Sequence, residues 1–278
     1  MMYLGIGLVV LSDSKLVLQK TLVTGARGDI GSLLIDLYHA HGQSLTPLDE
    51  KSTVTAARIL HLAAKSPGAS VREYVRSNLL YLQNVITYAK RNSIEELIFF
   101  SSASVYGRQD REEIVEEEEG TDLSLYGSSK LFGEEILRES GLKVCSIRLP
   151  AILGHRGTKN FVARIYEKLL LGEEIVLTNG HKHYNSFLSV ENLFEFLDKV
   201  ELKKGFDVIN LACQNTMTLL ELVELMREAL DSHSRVVISS DSTGLLSIST
   251  SKAEREYGFE PHDPSSTLLR WMKKMSPL

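Results

Sequence analysis

The chain is poor in cysteine, in positive charge and in long apolar runs, and each shortage excludes something. Only Cys145 and Cys213 occur among 278 residues. Both stand in apolar, strand-like runs, so they read as buried thiols and not as a disulfide framework. Neither has metal-ligand spacing around it, and His155, His181 and His183 are scattered over loops, so no metal site is expected. Lysine and arginine number 31 against 36 acidic residues, a net charge of −5. With no basic stripe, a general nucleic-acid binder is excluded. No apolar stretch reaches the roughly 20 residues of a membrane span. The apolar start, Met1 to Leu11, lacks the basic opening and small-residue cleavage site of a signal peptide. A cytoplasmic globular protein without a membrane or nucleic-acid partner is expected.

What is present is concentrated first in Thr21-Leu-Val-Thr-Gly-Ala-Arg-Gly-Asp-Ile-Gly-Ser32. Lys20 to Thr24 reads as a short buried strand. It runs into Gly25, Gly28 and Gly31, after which Ile30, Leu33, Leu34 and Leu37 recur at helical spacing. A glycine turn between strand and helix exposes backbone N–H groups at a helix N-terminus, a place for a pyrophosphate. Asp49 follows about 20 residues on, where a carboxylate can accept both adenosine-ribose hydroxyls. It would also repel a 2′-phosphate, which favours NAD over NADP. Arg27, inside the loop, pulls the other way.

The chain then alternates. Gln43 to Asp49 is expected as a strand at the sheet edge, because Pro47 has no N–H for a ladder. Only Glu50 to Ala57 precede the next strand, Arg58 to Leu62, so the sheet edge beyond the second strand is reduced. Ala63 to Gly68 form a loop at that strand's carboxyl end, the edge where open α/β sheets bind ligands. A helix from Val71 to Arg91 carries the stripe Val75, Leu79, Leu82, Ile86 and Ala89. Glu96 to Ser101 is a strand, Arg111 to Glu119 an acidic run that reads as solvated loop, Tyr126 to Glu139 a helix, and Lys143 to Leu149 a strand. This order predicts an α/β fold with a doubly wound parallel sheet. After Gly154 come a helix Asn160 to Leu171, a short strand Glu174 to Leu177, a strand Phe206 to Leu211, and a helix opened by the capping box Thr218/Glu221. Two short helices, Ser251 to Tyr257 and Pro264 to Met275, finish the chain. The expected division is an extra N-terminal segment of open role (1–18) and a dinucleotide-binding domain (19–153, with 186–212 returning to it). A small C-terminal substrate lobe takes 154–185 and 213–278.

Tyr126 and Lys130 share one helix face, a turn apart. A phenol titrates near 10 and is a poor base at neutral pH. A neighbouring ammonium and an oxidised nicotinamide ring both favour the phenolate. Ser102 lies in a loop at the same sheet edge and can hold a substrate oxygen beside Tyr126. His61, at a strand end, reads either as a satisfied half-buried histidine or as a participant. Asn160 opens a helix and reads either as an N-cap or as a phosphate-holding amide.

Together these pieces resemble the extended short-chain dehydrogenase/reductase family, in its NAD-dependent sugar-nucleotide epimerase/dehydratase branch. The resemblance rests on Thr24 to Gly31, Leu48-Asp49, His61-Leu-Ala-Ala64, Asn78, Ser101 to Gly107, Tyr126-Gly-Ser-Ser-Lys130 and Arg148 to Gly154. Phe187 to Leu193 and Ser251-Lys-Ala253 continue it. It implies a Rossmann sheet, a catalytic Ser102, Tyr126 and Lys130, and Lys130 bonding the nicotinamide ribose. It implies cofactor contacts from Gly25, Arg27, Gly28, Asp29, Ile30, Gly31, Asp49, Leu62, Ala63, Ala64, Lys65, Asn78 and Ser101. Substrate contacts would come from Ser102, Ala103, Ser104, Tyr126 and Asn160. It also implies a homodimer packed through the helices Val71–Arg91 and Tyr126–Glu139.

The chain departs from the pattern in several places. The segment after Asp49 is short. Asp29 takes a position that is usually aromatic or apolar, and Ala151 replaces a frequent asparagine. Asn185 stands where epimerases carry a phosphate-binding arginine, and the second such arginine, before Ser251, is missing. The implied activity is an epimerase or oxidoreductase at a secondary alcohol of a nucleotide sugar. A ketone reductase on another polyol and a non-catalytic cofactor-binding protein are the alternatives.

Overall fold

The computed structural model describes residues 20–51, 55–109, 111–154, 160–239 and 247–275. The N-terminal segment 1–18 and the side chains of His155, Arg156 and Lys159 lie outside them.

The first strand, β1 (Thr21–Thr24), leads through the glycine loop into α1 (Asp29–Ala40), which ends at His41 before Gly42. Among the described residues β2 (Leu45–Pro47) pairs only with β1, in parallel, with Pro47 opposite Val23. On an edge strand the missing proline N–H leaves no partner wanting. β3 (Arg58–His61) takes the other side of β1. The long helix is continuous but not uniform: α2 (Val71–Tyr74), a π-helical turn (Val75–Leu80) and α3 (Tyr81–Arg91) follow one another. It opens on a capping box made by Ser70 and Glu73. β4 (Glu96–Ser102) runs into a 3-10 turn (Ala103–Tyr106) and then β5 (Glu113–Ile114). α4 (Leu125–Arg138) is capped by the Ser124 hydroxyl on Gly127 N–H, and β6 (Lys143–Leu149) and β7 (Ala151–Leu153) follow.

The remainder runs α5 (Phe161–Leu171), β8 (Ile175–Thr178), β9 (Phe187–Ser189), α6 (Val190–Lys199), β10 (Phe206–Asn210) and α7 (Leu219–Ala229), then β11 (Val236–Ser239), β12 (Ser247–Ile248), α8 (Ser251–Tyr257) and α9 (Pro264–Met275). The main sheet has the order β10-β6-β4-β3-β1-β2, parallel throughout. The order reverses between β1 and β3, which places the switch point beside the glycine loop. Period-2 alternation divides the strands between two cores. Val23, Leu60, Ile98 and Ile147 pack with Leu33, Leu34, Leu193 and Leu197 of α1 and α6 on one face. Leu22, Ile59, Leu97 and Val144 pack with Leu82, Val85 and Leu137 of α3 and α4 on the other. A separate core gathers Val162 and Leu169 of α5, Leu222 and Met226 of α7, and Leu268 and Trp271 of α9. Ala253 and Phe259 join the sheet's core, so α8 packs with the sheet although it lies in the range expected for the lobe.

Two expectations need correction. The acidic run is not a plain solvated loop. Ile114 within it is fully buried, β5 pairs with β12, and Glu116 accepts the Asn210 N–H at 2.8 Å. That pairing spans more than a hundred residues and leaves no trace in local charge pattern. Helix α6, absent from the expected elements, buries Val190, Leu193, Phe194 and Leu197.

At the switch point one side chain joins two strands. Thr24 Oγ1 accepts the Ala63 N–H (3.1 Å) and meets His61 Nδ1 (2.9 Å). One proton is shared between the Thr24 hydroxyl and His61 Nδ1, and His61 Nε2 has no partner. Burial, aided by the Lys130 charge, holds His61 neutral, pushed down to about 3. His61 is the satisfied, buried histidine of the two readings on its Nδ1 side only. Between about pH 6.5 and 3 the unfolded chain binds a proton here that the folded chain refuses, so stability falls as pH drops through that window. The stability advantage of the protein over a His61→Asn variant is expected to narrow from pH 7 to pH 4 in urea titrations. Thr24→Val is expected to lose about 1–3 kcal/mol by the same measurement, because it strands a buried N–H.

Candidate active site

The glycine loop is built for close backbone approach. Gly25 has φ +73°, and a Cβ there would lie 2.7 Å from Ala63 N. A Cβ on Gly31 would lie 2.2 Å from Gly25 O, and Gly28 N–H already donates to that oxygen at 2.9 Å. Gly28 is the N-cap of α1 and brings no capping side chain, so first-turn N–H groups remain for an anion.

A cavity of about 630 Å³ opens from this cradle across the carboxyl edge of the sheet. It collects most of the residues expected from the sequence: Gly25, Gly28, Asp29, Ile30, Gly31, Leu62, Ala64, Lys65, Ser101 to Ser104, Tyr126, Lys130 and Asn160. Ala63 lines an adjoining cavity. Arg27 and Asp49 line neither. Asn78 stands behind the wall. Its Oδ1 accepts Lys65 N–H (2.8 Å), and its Nδ2 donates to Ser129 Oγ (2.9 Å), which in turn donates to Tyr126 O (2.8 Å). Asn78 thus ties the loop after β3 to the helix that carries Tyr126.

Ser102, Tyr126 and Lys130 come together on one wall. The Ser102 hydroxyl donates to Ser104 Oγ and accepts the Ser104 N–H, both at 3.1 Å. Burial raises the Tyr126 phenol's pKa and outweighs the lowering influence of the Ser102 hydroxyl. Lys130 is buried, with Nζ donating to Phe100 O at 2.7 Å and lying 6.0 Å from the Tyr126 ring centre. Burial pushes its ammonium down to about 8, while Glu134 resists. One of the three ammonium N–H donors is thus engaged by a backbone carbonyl.

Asn160 is an N-cap. Its Oδ1 accepts Ala163 N–H (2.9 Å) and its Nδ2 donates to Ile152 O (3.0 Å), so both ends of the amide are engaged. Asn185 is buried, donates to Cys213 O and Ile248 O, and accepts Ile248 N–H. It clamps three segments where the resemblance implied phosphate contact. Lys65 and Lys130 are the cations lining the cavity among the described residues.

A polar network beneath the site escaped the sequence reading. Glu134, fully buried, accepts from Ser101 Oγ (2.5 Å), Ser146 Oγ (3.2 Å), and Arg148 Nε (3.2 Å) and Nη2 (2.8 Å). The Arg148 guanidinium lies 4.8 Å from the Tyr106 ring centre, and Tyr106 donates to Asn210 Oδ1 at 2.7 Å. The available signal was Arg148 itself, since a charge in the apolar strand Lys143–Leu149 requires a buried counter-charge.

A parallel sheet with a glycine cradle at its switch point and a tyrosine–lysine helix beside it defines a dinucleotide-binding α/β protein. The profile of the NAD dependent epimerase/dehydratase family matches residues 52–212, and the chain belongs to that family. Among curated proteins it is similar to y4nG of Sinorhizobium fredii, 23% identical over 242 residues (76% of this chain, 61% of that protein). It is also similar to N-acetyl-alpha-D-glucosaminyl-diphospho-ditrans,octacis-undecaprenol 4-epimerase of Escherichia coli O157:H7, 27% identical over 167 residues (57% and 49%). The chain therefore spans about half to three fifths of the length of these relatives. UDP-glucuronic acid 4-epimerase from Bacillus cereus, solved with NAD, shares the fold at a TM-score of 0.75 and 18% identity, covering 92% of this chain and 99% of that one. MoeE5, solved with UDP-glucose and NAD, does so at 0.74 and 23%, with 92% and 99% covered. No helix among the described residues is long and apolar enough to cross a membrane. Among the described residues no cluster of His, Cys, Asp and Glu is placed to hold a metal ion.

Glu134→Ala leaves Arg148 buried without a counter-charge and is expected to destabilise by about 3–5 kcal/mol. The double variant Glu134→Ala/Arg148→Met should recover much of that in urea titration, which separates loss of a charge partner from loss of packing.

Proposed function

We propose that the chain is an NAD-dependent enzyme of nucleotide-sugar metabolism that epimerises, or oxidises and reduces, a secondary alcohol, with Tyr126 moving the hydroxyl proton. The observation that carries this reading is the assembly of Ser102, Tyr126 and Lys130 on the wall of a cavity continuous with the glycine cradle. The cradle fits a dinucleotide, since Gly28 caps α1 without a side chain and leaves first-turn N–H groups beside the cavity that Gly25, Gly28 and Gly31 line. Gly25, Gly28 and the α1 N-terminus would hold the pyrophosphate, and the remaining Lys130 donors the nicotinamide ribose. When bound, NAD supplies a hydride acceptor and donor. Ser102 holds the substrate oxygen, and Tyr126 takes its proton on oxidation and returns it on reduction. A raised phenol pKa suits the donating direction at neutral pH and makes the accepting direction depend on added positive charge in the site.

The nucleotide-sugar class draws support from the family and from the sugar-nucleotide ligands of proteins with the same fold. The substrate end of the cavity carries Ala151, Asn160, the edge-packed pair Phe161 and Tyr184, and Ser186. With Asn185 and Asn160 engaged elsewhere, diphosphate recognition there is weak among the described residues, and UDP is expected to bind with a Kd above 1 μM by calorimetry. A homodimer is supported by the helices α2 to α4. They pack side by side and expose Val71 (57%), Leu80 (51%), Leu125 (58%) and Phe132 (60%), an apolar face of the kind that marks an interface. Two buried free cysteines fit a reducing, cytoplasmic setting.

Tyr126→Phe keeps the ring packing and removes the transferable proton. Turnover of NAD with a panel of UDP-sugars is expected to fall by at least about 10²-fold, with NAD affinity within threefold of the unsubstituted protein. Unchanged turnover would take Tyr126 out of the mechanism.

A further inference from the structure

Beside the catalytic cavity, and sharing Gly25, Gly28, Leu62, Ala64 and Lys65 with it, lies a second cavity of about 650 Å³. Its far wall is a helix face carrying Glu73, Arg76, Ser77 and Tyr81, with Glu73 paired to Lys65 at 3.4 Å. The π-helical turn is what aligns two of these. Tyr81 N–H donates to Arg76 C=O, five residues back. Residues five apart therefore sit one above the other, where a regular α-helix would rotate Tyr81 off that line. π-turns are uncommon and recur at functional sites.

The described ends of the link between β2 and β3 meet the same long helix. Arg91 Nη2 donates to Glu50 O at 3.0 Å. Leu48 and Ala56, at the two ends of the link, pack on the cluster that also holds Tyr81. Glu50 lies near enough to raise the Tyr81 phenol's pKa alongside burial. The Tyr81 ring is half-buried, backed by His61 at 5.9 Å between ring centres. His61 in turn stacks on Phe99 at 5.9 Å. Asp49 is engaged within its own turn, with Oδ1 accepting Lys51 N–H at 3.0 Å, and it lines neither cavity.

We propose that the adenosine half of the dinucleotide occupies this second cavity, with adenine stacked on Tyr81 and Arg76 attracting the adenylate phosphate. Adenosine affinity then comes from the π-turn of the helix and not from Asp49. The proposal rests on the dinucleotide reading above and assigns it a specific place. A ring backed by a second ring is a preorganised platform that loses little entropy on stacking.

The test is calorimetric titration of NAD, ADP-ribose and AMP into the protein and its variants Tyr81→Ala, Tyr81→Leu, Tyr81→Phe, Arg76→Ala and Asp49→Ala, each checked by thermal melting. Base–aromatic stacking predicts that Tyr81→Ala and Tyr81→Leu weaken all three ligands by about tenfold or more, with Tyr81→Phe within twofold. Arg76→Ala is expected to weaken AMP by at least threefold, and Asp49→Ala to stay within threefold. Should Tyr81→Ala fail to fold, Tyr81→Leu, which keeps the apolar contact without the aromatic face, decides. The proposal falls if the folded Tyr81 variants bind ADP-ribose within twofold of the unsubstituted protein, or if Asp49→Ala alone loses tenfold. If the unsubstituted protein binds neither NAD nor ADP-ribose, the dinucleotide reading falls, and the placement falls with it.

Discussion

Glu134 is a carboxylate with no access to water, and the reactive edge of the sheet depends on its being neutralised. Arg148 does this with two nitrogens, while Ser101 and Ser146 fill the remaining acceptor positions. The four members of this cluster come from α4, β4 and β6. One charge-assisted cluster therefore locks the helix that carries Tyr126 and Lys130 onto the strands beneath it. A buried ion pair contributes little net stability, because desolvation opposes the attraction. Its effect is positional: any slip of α4 along the sheet would leave a charge unpaired. Ser101 is part of this cluster and its neighbour Ser102 lines the cavity, so the proposed substrate oxygen contact inherits the same register.

The second constraint is the narrow gap between the loops that follow β1 and β3. Gly25 passes so close to Ala63 that a side chain is excluded, and Thr24 bonds across the same gap. Asn78 extends the connection to Ser129 on α4. The glycine loop, the loop after β3 and the helix that carries Tyr126 are thereby linked through hydrogen bonds. The same dense packing displaces pKa values. Burial lowers the Lys130 pKa to about 8 and raises that of Tyr126, so both shift toward their neutral forms and would respond to a charged group in the cavity.

The edge of the sheet shows how a shortened connection is accommodated. With β2 as the edge strand, Pro47 is tolerated and no further strand is needed. The space beyond β3 is walled by the helix after it, and Tyr81, backed by His61 and Phe99, fills the position. A local change of helical pitch, and no additional element, brings Tyr81 into line with Arg76.

Much of this was legible in the chain. Period-2 apolar runs, three spaced glycines and the alternation of strand and helix determine a parallel doubly wound sheet, because each pattern admits few packings. Pro47 by itself marked the edge strand. Gly25, Gly28, Gly31, Ser102, Tyr126 and Lys130 were identifiable because strand ends and helix turns place them at one edge of such a sheet. Other features were decided only in three dimensions. Local pattern says nothing of β5 meeting β12, of Asn185 clamping two distant segments, or of Glu134 finding Arg148. The π-turn is also invisible locally, since its apolar stripe reads as an ordinary helix. Nor could sequence foresee that Lys130 would point at Phe100 O. Hydrogen-bond partners and burial are set by what the rest of the chain brings within about 3 Å, and that distance is a property of the packed fold alone.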